Sequence, residues 1–423
     1  MNDKRQLSVP MIQAGVIALF LAIIVVLAVR GLMQDREDDV ATSAAGTTTT
    51  TSIAPADRSA AGPDTDDATT DTTGGAPSGT SDEPTFAQRL DRITIVVPET
   101  SSTTTVVADT TPVPEPIRIP RPTCADGLEA TVTQTAPFTG LQASIPSGLP
   151  AVVVKVSNNS GASRAALLGL DSADIVYEER IEANATRFAA VFHSQLPDNV
   201  GPVRSGRTTD IQLVRNLGTP VFGYSGSNRG VAAQIDEARI NGWLVPFVNT
   251  DRAPFARDSR FRAPDNLFVD PGSLGACGNG GTPAPVFSHG AATSTTAVPA
   301  SSVSLDARSP YRFDWNAGTG TWLRSQDGTA HVTRSGAQLA PENVVVLFVP
   351  YVPSQIDAAS VDAQTVGSGT AWTFRNGTVT EGSWSRPGPN AAWTLTDGAG
   401  VAVTLTPGQT WVVLAPAGSA NWQ

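Results

Sequence analysis

The sequence predicts an α+β (or α/β) domain followed by an all-β sandwich- or barrel-like domain, set behind an N-terminal transmembrane helix and a disordered stalk. Three observations carry this. Strand-type and helix-type patterns alternate between residues 151 and 238, turn signals recur at short intervals beyond residue 285, and an uncharged apolar run near the N-terminus leads into low-complexity sequence.

The apolar run comes first. Met11 to Val29 carries no charge and is about 19 residues long, enough to cross a bilayer as a helix. Lys4 and Arg5 precede it. Arg30 and Arg36 follow it among Asp35, Glu37, Asp38 and Asp39. Residues 1–10 are therefore expected as a cytoplasmic tail and 11–29 as a single-pass anchor, with the folded domains outside the cell membrane. A cleaved signal peptide is the alternative. The end of the run, Leu27-Ala28-Val29-Arg30-Gly31, lacks a clean small-x-small cleavage site, which favours the anchor. No cysteine follows the run, which excludes a lipid anchor at that point.

Residues 30–118 read as a disordered stalk. Thr, Ser, Ala, Asp, Pro and Gly displace large apolar residues, with threonine runs at Thr47 to Thr51 and Thr103 to Thr105. Such a composition buries too little apolar surface to offset the entropy of ordering. As a coil it spans on the order of 50 Å. One island, Phe86 to Val97, reads equally as a short docking element or as an apolar patch in the stalk.

The first folded domain is expected over 119–284. Ala151 to Val156, Asp174 to Glu179 and Thr186 to His193 read as strands, the last two joined as a hairpin through Arg180 to Ala185. Ile211, Val214 and Leu217 stand at helical spacing in Thr209 to Leu217, with Gly218 as the stop. Pro220 to Tyr224 is another strand and Gly230 to Ala238 another helix. The second domain is expected over 285–423. Turn signals recur at Gly318-Thr-Gly320, Asp327-Gly328, Asn376-Gly377, Asp397-Gly398 and Pro407-Gly408, and Val344 to Val349 has the apolar character of a central strand. All eight tryptophans lie beyond Asn241 and are expected chiefly in the core, the alternative being exposed sugar-binding rings.

Composition bounds the function. The net charge of -11 disfavours nucleic-acid binding. Cys124 and Cys277 are the only cysteines. On the outer side of a membrane they are expected as one disulfide, and their spacing without matching histidines excludes a metal site. There is no His-Glu-x-x-His, phosphate-cradling loop or dinucleotide fingerprint, so no metal or cofactor is expected. Gly223-Tyr-Ser-Gly-Ser227 ends in Ser227 where a nucleophile elbow needs glycine. Ser225 reads as part of a strand-end turn, and His193, His289 and His331 as structural.

The chemically suggestive stretch is Gly201-Pro-Val-Arg-Ser-Gly-Arg-Thr-Thr-Asp210. It sets Arg204 and Arg207 at the mouth of a helix, in a chain with only two lysines, Lys4 and Lys155. Guanidinium forks and a helix start both favour anions. Strand alternation puts Asp174, Val176 and Glu178 on one face and Tyr177 and Glu179 on the other, with Arg187, Ala189, Val191 and His193 sharing a face of the returning strand. Acids on one strand then face a base on its neighbour, either as a cross-strand ion pair or as the polar floor of a ligand cleft.

These residues also carry a resemblance. Val152-Val-Val-Lys-Val-Ser-Asn158, Ala173-Asp-Ile-Val-Tyr-Glu178, Thr186-Arg-Phe-Ala-Ala-Val-Phe192 and Gly201-Pro-Val-Arg-Ser-Gly-Arg207 resemble the YerB-like family, a bacterial cell-surface family of unknown function with a β-rich companion domain. Tyr311-Arg-Phe-Asp-Trp315, Asn343-Val-Val-Val346, Gly382-Ser-Trp384 and Pro407-Gly-Gln-Thr-Trp411 resemble landmarks of the companion. The chain departs from the pattern at Ser157, usually Asp, and at Ala183 and Asn184, usually a glycine pair. It also departs in its membrane anchor, since the familiar members are lipoproteins. Position by position, the resemblance implies site residues at Lys155, Asn158, Asp174, Tyr177, Glu178, Glu182, Arg187, Arg204, Ser205, Arg207 and Asp210.

The resulting expectation is a membrane-anchored extracytoplasmic protein that binds an anionic cell-envelope polymer or head group through Arg187, Arg204 and Arg207. Lys155, Asn158, Glu178, Glu182, Ser205 and Asp210 complete that site. Two alternatives stand beside it. One is a metal-independent hydrolase or transferase on envelope carbohydrate, using Glu178 or Glu182 as acid or base. The other is a scaffold whose β-domain binds a protein.

Overall fold

The computed structural model describes residues 124–423, apart from 252, 253 and 358. The expected tail, anchor, stalk and Phe86 to Val97 island lie outside the described residues. Among the described residues no helix is long and apolar enough to cross a membrane.

The described residues are mainly β, and their C-terminal part is β-rich. Its centre is one eleven-stranded mixed sheet. In chain order the strands are β1 Val152–Ser157, β2 Ile175–Arg180, β3 Thr186–Phe192, β4 Val221–Tyr224, β5 Val245–Val248, β6 Val298–Pro299, β7 Asn343–Phe348, β8 Gly367–Arg375, β9 Thr378–Arg386, β10 Thr394–Asp397 and β11 Thr410–Ala415. Their spatial order is β6-β9-β8-β7-β11-β2-β3-β1-β4-β5, with β10 on β9. The two halves expected from sequence thus share a sheet. The seam is a parallel ladder in which Thr410 to Val413 of β11 pairs with Ile175 to Glu178 of β2.

Strands β1, β3 and β11 are buried along their whole length, which is why they read as near-continuous apolar runs. One face of the sheet, through Val154, Val176, Phe188, Val346 and Trp411, joins a core with Phe313 and Trp322. Those last two belong to a five-stranded antiparallel sheet formed by Thr329–Ala330, Thr321–Gln326, Tyr311–Asn316, Ser302–Leu305 and Ala420–Trp422. The other face, through Val153, Tyr177, Ala189, Val345 and Val412, packs on helices. Among the described residues the α-helices are α1 Gly161–Ala165, α2 Thr208–Leu213, α3 Arg229–Ile240 and α4 Pro271–Gly275. Of these, α2 and α3 supply Ile211, Leu213, Val231 and Ile235 to that core.

The helix expected over Thr209 to Leu217 is α2 followed by a 3-10 turn, Val214–Leu217, and Gly218 takes φ +84° as the stop. Asn376-Gly377 turns β8 into β9 with both φ positive, and Asp327-Gly328 does the same beside Thr321–Gln326. Asp397-Gly398 instead opens a longer loop, because the Asp397 carboxylate accepts from Ala399 N and Val401 N. Trp322, Trp384 and Trp411 are fully buried, in line with the core reading. The hairpin connection holds Ala183 and Asn184 at φ 54° and 57°, a backbone suited to the glycine pair usual in the resembled family. Cys124 and Cys277 form a disulfide.

Candidate functional site

The site is built on the helix-facing side of the sheet, where strand alternation selects its members. On β1, Lys155 stands between Val154 and Val156 but points to the opposite face, and it is fully buried. On β2 the same alternation selects Glu179 rather than Glu178. The register pairs Glu179 with Arg187 of β3, and Arg187 in turn with Ser157 of β1.

The segment 201–207 lies alongside β1. Ser157 N donates to Pro202 O, and Arg204 N donates to Lys155 O at 2.8 Å. Gly206 packs so closely that a Cβ there would meet Ile235, Phe222 and Tyr224 within 3.0–3.4 Å. This path carries Arg204 to the end of β1, where its Nε donates to Ser157 Oγ at 3.1 Å. Helix α2 then starts, and its third residue, Asp210, folds its carboxylate back to accept from Arg207 N at 2.7 Å.

The result is a balanced charge cluster. The Lys155 ammonium, the buried hub, donates to Glu179 and, at 2.7 Å, to Asp210. Arg204 pairs with Asp265 and also donates to Pro264 O. Arg207 pairs with Glu182, which also accepts from Ser360 Oγ at 3.0 Å. Arg187 donates to Ser205 O at 3.1 Å. Four cations therefore face four acids. The helix mouth is closed by Asp210 rather than left open as the sequence suggested.

Two of the guanidiniums remain incompletely bonded. Nε of Arg187 and Nε of Arg207 are buried without an acceptor among the described residues, and Oε2 of Glu179 is buried without a donor. Burial pulls the Arg187 guanidinium down to about 10. Arg207 and Arg204 pull the same way, against Glu179 and Glu182. Burial pushes the Glu179 carboxyl up to about 7, with the Asp210 charge adding to the rise and Lys155 and Arg187 opposing it. Partial burial would raise Glu182 as well, but its own backbone N–H, Arg207 and Ser360 outweigh this and hold it below the usual range.

Seven expected site residues thus meet in one place: Lys155, Glu182, Arg187, Arg204, Ser205, Arg207 and Asp210. Asn158 and Glu178 do not join them. Glu178 points through the sheet and is fully buried. It takes Arg324 Nη2 at 2.9 Å, Trp411 Nε1 at 2.9 Å and Thr186 Oγ1 at 2.7 Å. Asn158 donates to the same Thr186 at 2.7 Å. Asp174 accepts from Ser194 N at the far end of β2, and Tyr177 is buried among the helix-side apolar residues. Sequence reasoning missed Glu179 and Asp265. Glu179 was legible in principle, since it shares its face with Tyr177. Asp265 carries no local signal, because its partner is 61 residues away. Among the described residues no group of His, Cys, Asp or Glu is arranged to hold a metal ion.

Comparison with known proteins places this architecture. Residues 138–281 match the family described as "Protein of unknown function (DUF3048) N-terminal domain", and residues 301–412 match its C-terminal domain. A curated relative, "Putative lipoprotein YerB" of Bacillus subtilis (strain 168), is 25% identical over 299 residues, covering 66% of this chain and 86% of its own. The crystal structure of the YerB protein from Bacillus subtilis superposes with a TM-score of 0.59 at 23% identity. It covers 69% of this chain and 99% of that one, and shows a common fold. The chain belongs to the YerB-like family, built from the DUF3048 N- and C-terminal domains, both of unknown function.

Proposed function

We propose that this protein is an extracytoplasmic binding module, tethered by residues 11–29 and lifted by the stalk, that holds an anionic group of an envelope polymer or head group at Arg187, Arg204 and Arg207. The observation that carries the reading is the pair of buried, acceptor-less Nε atoms on Arg187 and Arg207, in a cluster where Arg207 and Arg204 lie close enough to lower the proton affinity of Arg187. An incoming phosphate or carboxylate supplies the missing acceptors and relieves the like-charge repulsion. Glu182 and Asp265 then act as internal stand-ins that the ligand joins or displaces, and Glu182 is the more exposed of the two. A surface tether is also consistent with the lipoprotein name of the Bacillus subtilis relative.

No observation favours hydrolysis over binding. Glu178 is sealed beneath Arg324 and Trp411, and Glu182 is held ionised. Glu179 is raised to about 7 but is 1% exposed and bonded to Lys155.

The test is co-sedimentation of the protein with purified envelope material, with inorganic phosphate as competitor. Arg204→Lys/Arg207→Lys keeps the charge and loses the fork, and Arg204→Ala/Arg207→Ala loses both. Both variants should lose retention, and a native circular-dichroism spectrum with a cooperative melt separates that loss from unfolding, since Arg204 and Asp265 are each only 12% exposed. Equal retention of wild type and both variants refutes the reading.

A further inference from the structure

Next to the arginine cluster, a cavity of about 320 Å³ opens between α2, α3 and the segment 355–364 of the C-terminal half. Its volume falls at the lower end of the range of about 300–1,000 Å³ usual for small-molecule sites. Its chemistry differs from that of the cluster. Gln212 of α2, Gln234 of α3, and Gln355 and Gln364 of the facing segment bring four side-chain amides to one cavity. The amides of Gln212, Gln234 and Gln355 make no hydrogen bond to protein among the described residues. Arg215 is the only cation in the lining, against Glu237 and Asp362. An anion entering here meets acids that outnumber the single cation, so the site selects for an uncharged guest.

The rest of the lining holds Thr208, Thr209, Ile211, Ile356 and Ala363, with Trp243 as its one aromatic. Trp243, just beyond α3, is half-buried, and the Arg215 guanidinium carbon lies 3.8 Å from its ring centroid. Both residues also line a second cavity of about 370 Å³ bordered by Asn390, so the stack borders two adjoining spaces. Arg215 is held there by Asn390, which accepts from its Nε at 3.1 Å.

A lining that mixes free amides with apolar side chains is complementary to a sugar. A pyranose offers an apolar C–H face to side chains such as Ile211 and Ile356, and its hydroxyls both donate and accept, as does each glutamine amide. We propose that this cavity binds a hexopyranose unit of a neutral oligosaccharide, with its hydroxyls held by Gln212, Gln234 and Gln355 beside the Arg215–Trp243 stack. This site is independent of the arginine cluster and shares none of its side chains. The second cavity, which Arg215 and Trp243 also border, gives the next sugar unit a place.

The experiment is a titration of the full chain, in a detergent free of sugar, with chitotriose, maltotriose and mannotriose. It is read by saturation-transfer NMR and tryptophan fluorescence. At least one trisaccharide should bind with a Kd on the order of 1 mM or tighter. Trp243→Ala, which releases Arg215 from its stack at the cavity wall, should weaken binding. Because that change also disturbs the core, Gln234→Ala/Gln355→Ala, at two accessible positions, provides the second reading and should weaken binding at least fivefold. Arg204→Ala/Arg207→Ala should leave the sugar Kd unchanged, which keeps this proposal separable from the anion site. Failure of all three sugars to bind, unaltered affinity in the glutamine variant, or tighter binding of trigalacturonate than of any neutral sugar overturns it.

Discussion

Replacing Arg324 with methionine tests what holds the two halves of this fold in register. Arg324 lies on the strand Thr321–Gln326 of the five-stranded sheet and is completely buried. Its Nη2 donates to both carboxylate oxygens of Glu178 on β2, at 2.9 and 3.2 Å. Its Nη1 is held by Gln326 and His331, and its guanidinium lies 4.6 Å from the Tyr311 ring centroid and 5.2 Å from that of Trp411. Arg324→Met keeps much of the volume but leaves the Glu178 carboxylate buried with only the neutral donors Trp411, Thr186 and Asn158. Breaking a buried pair from one side costs about 3–5 kcal/mol, whereas replacing both partners with apolar groups is often neutral or stabilising. Against a total stability of roughly 5–15 kcal/mol, the single loss is large.

Urea unfolding at pH 7, followed by tryptophan fluorescence, should therefore show a loss of about 3–5 kcal/mol for Arg324→Met and recovery to within about 1 kcal/mol of wild type for Glu178→Leu/Arg324→Met. The single variant should regain stability on acidification, because a stranded carboxylate can neutralise itself by taking a proton. Glu178→Gln should not, since a stranded guanidinium keeps its charge. A loss below about 1 kcal/mol for Arg324→Met, or a double variant as unstable as the single, refutes the argument.

Two further outcomes follow from groups on the same sheet and at its edge. Glu179 has a folded-state pKa of about 7 against an ordinary 4.5, so the folded state holds a proton that the unfolded chain releases earlier, and stability falls as pH rises from about 4.5 to 7. Glu179→Gln should remove that fall. The measurement is the difference between the variant and wild-type stability profiles, because half-buried His289, lowered to about 4, acts in the opposite sense over part of the window. Reduction of the Cys124–Cys277 bridge, which closes a loop of 153 residues, should lower stability by about 2–5 kcal/mol, read as a shift in the urea midpoint with and without dithiothreitol.

Much of this protein was written locally. The apolar runs of β1 and β7 announced buried strands, Gly218 announced the stop after α2, and Asn376-Gly377 and Asp327-Gly328 announced their turns. Each signal resides in a few neighbouring residues whose backbone preference does not depend on the rest of the chain. The meeting of Arg204 and Arg207 with Arg187 was also legible, because strand alternation and a short segment after the hairpin confine them.

What the sequence could not decide was anything that depends on register between distant segments. Two expected domains share one sheet because Thr410 to Val413 pairs with β2, a ladder whose partners lie more than 200 residues apart. A one-residue slip would exchange Glu178 and Glu179 between the faces, so only the assembled sheet assigns Glu179 to Lys155 and Glu178 to Arg324. The neutralisation of Arg204 by Asp265 and the gathering of four glutamines around Trp243 are likewise products of packing. A charge or an amide has no partner until the fold brings one within reach, and the free energy that selects the pairing comes from burying the whole sheet rather than from the pair itself.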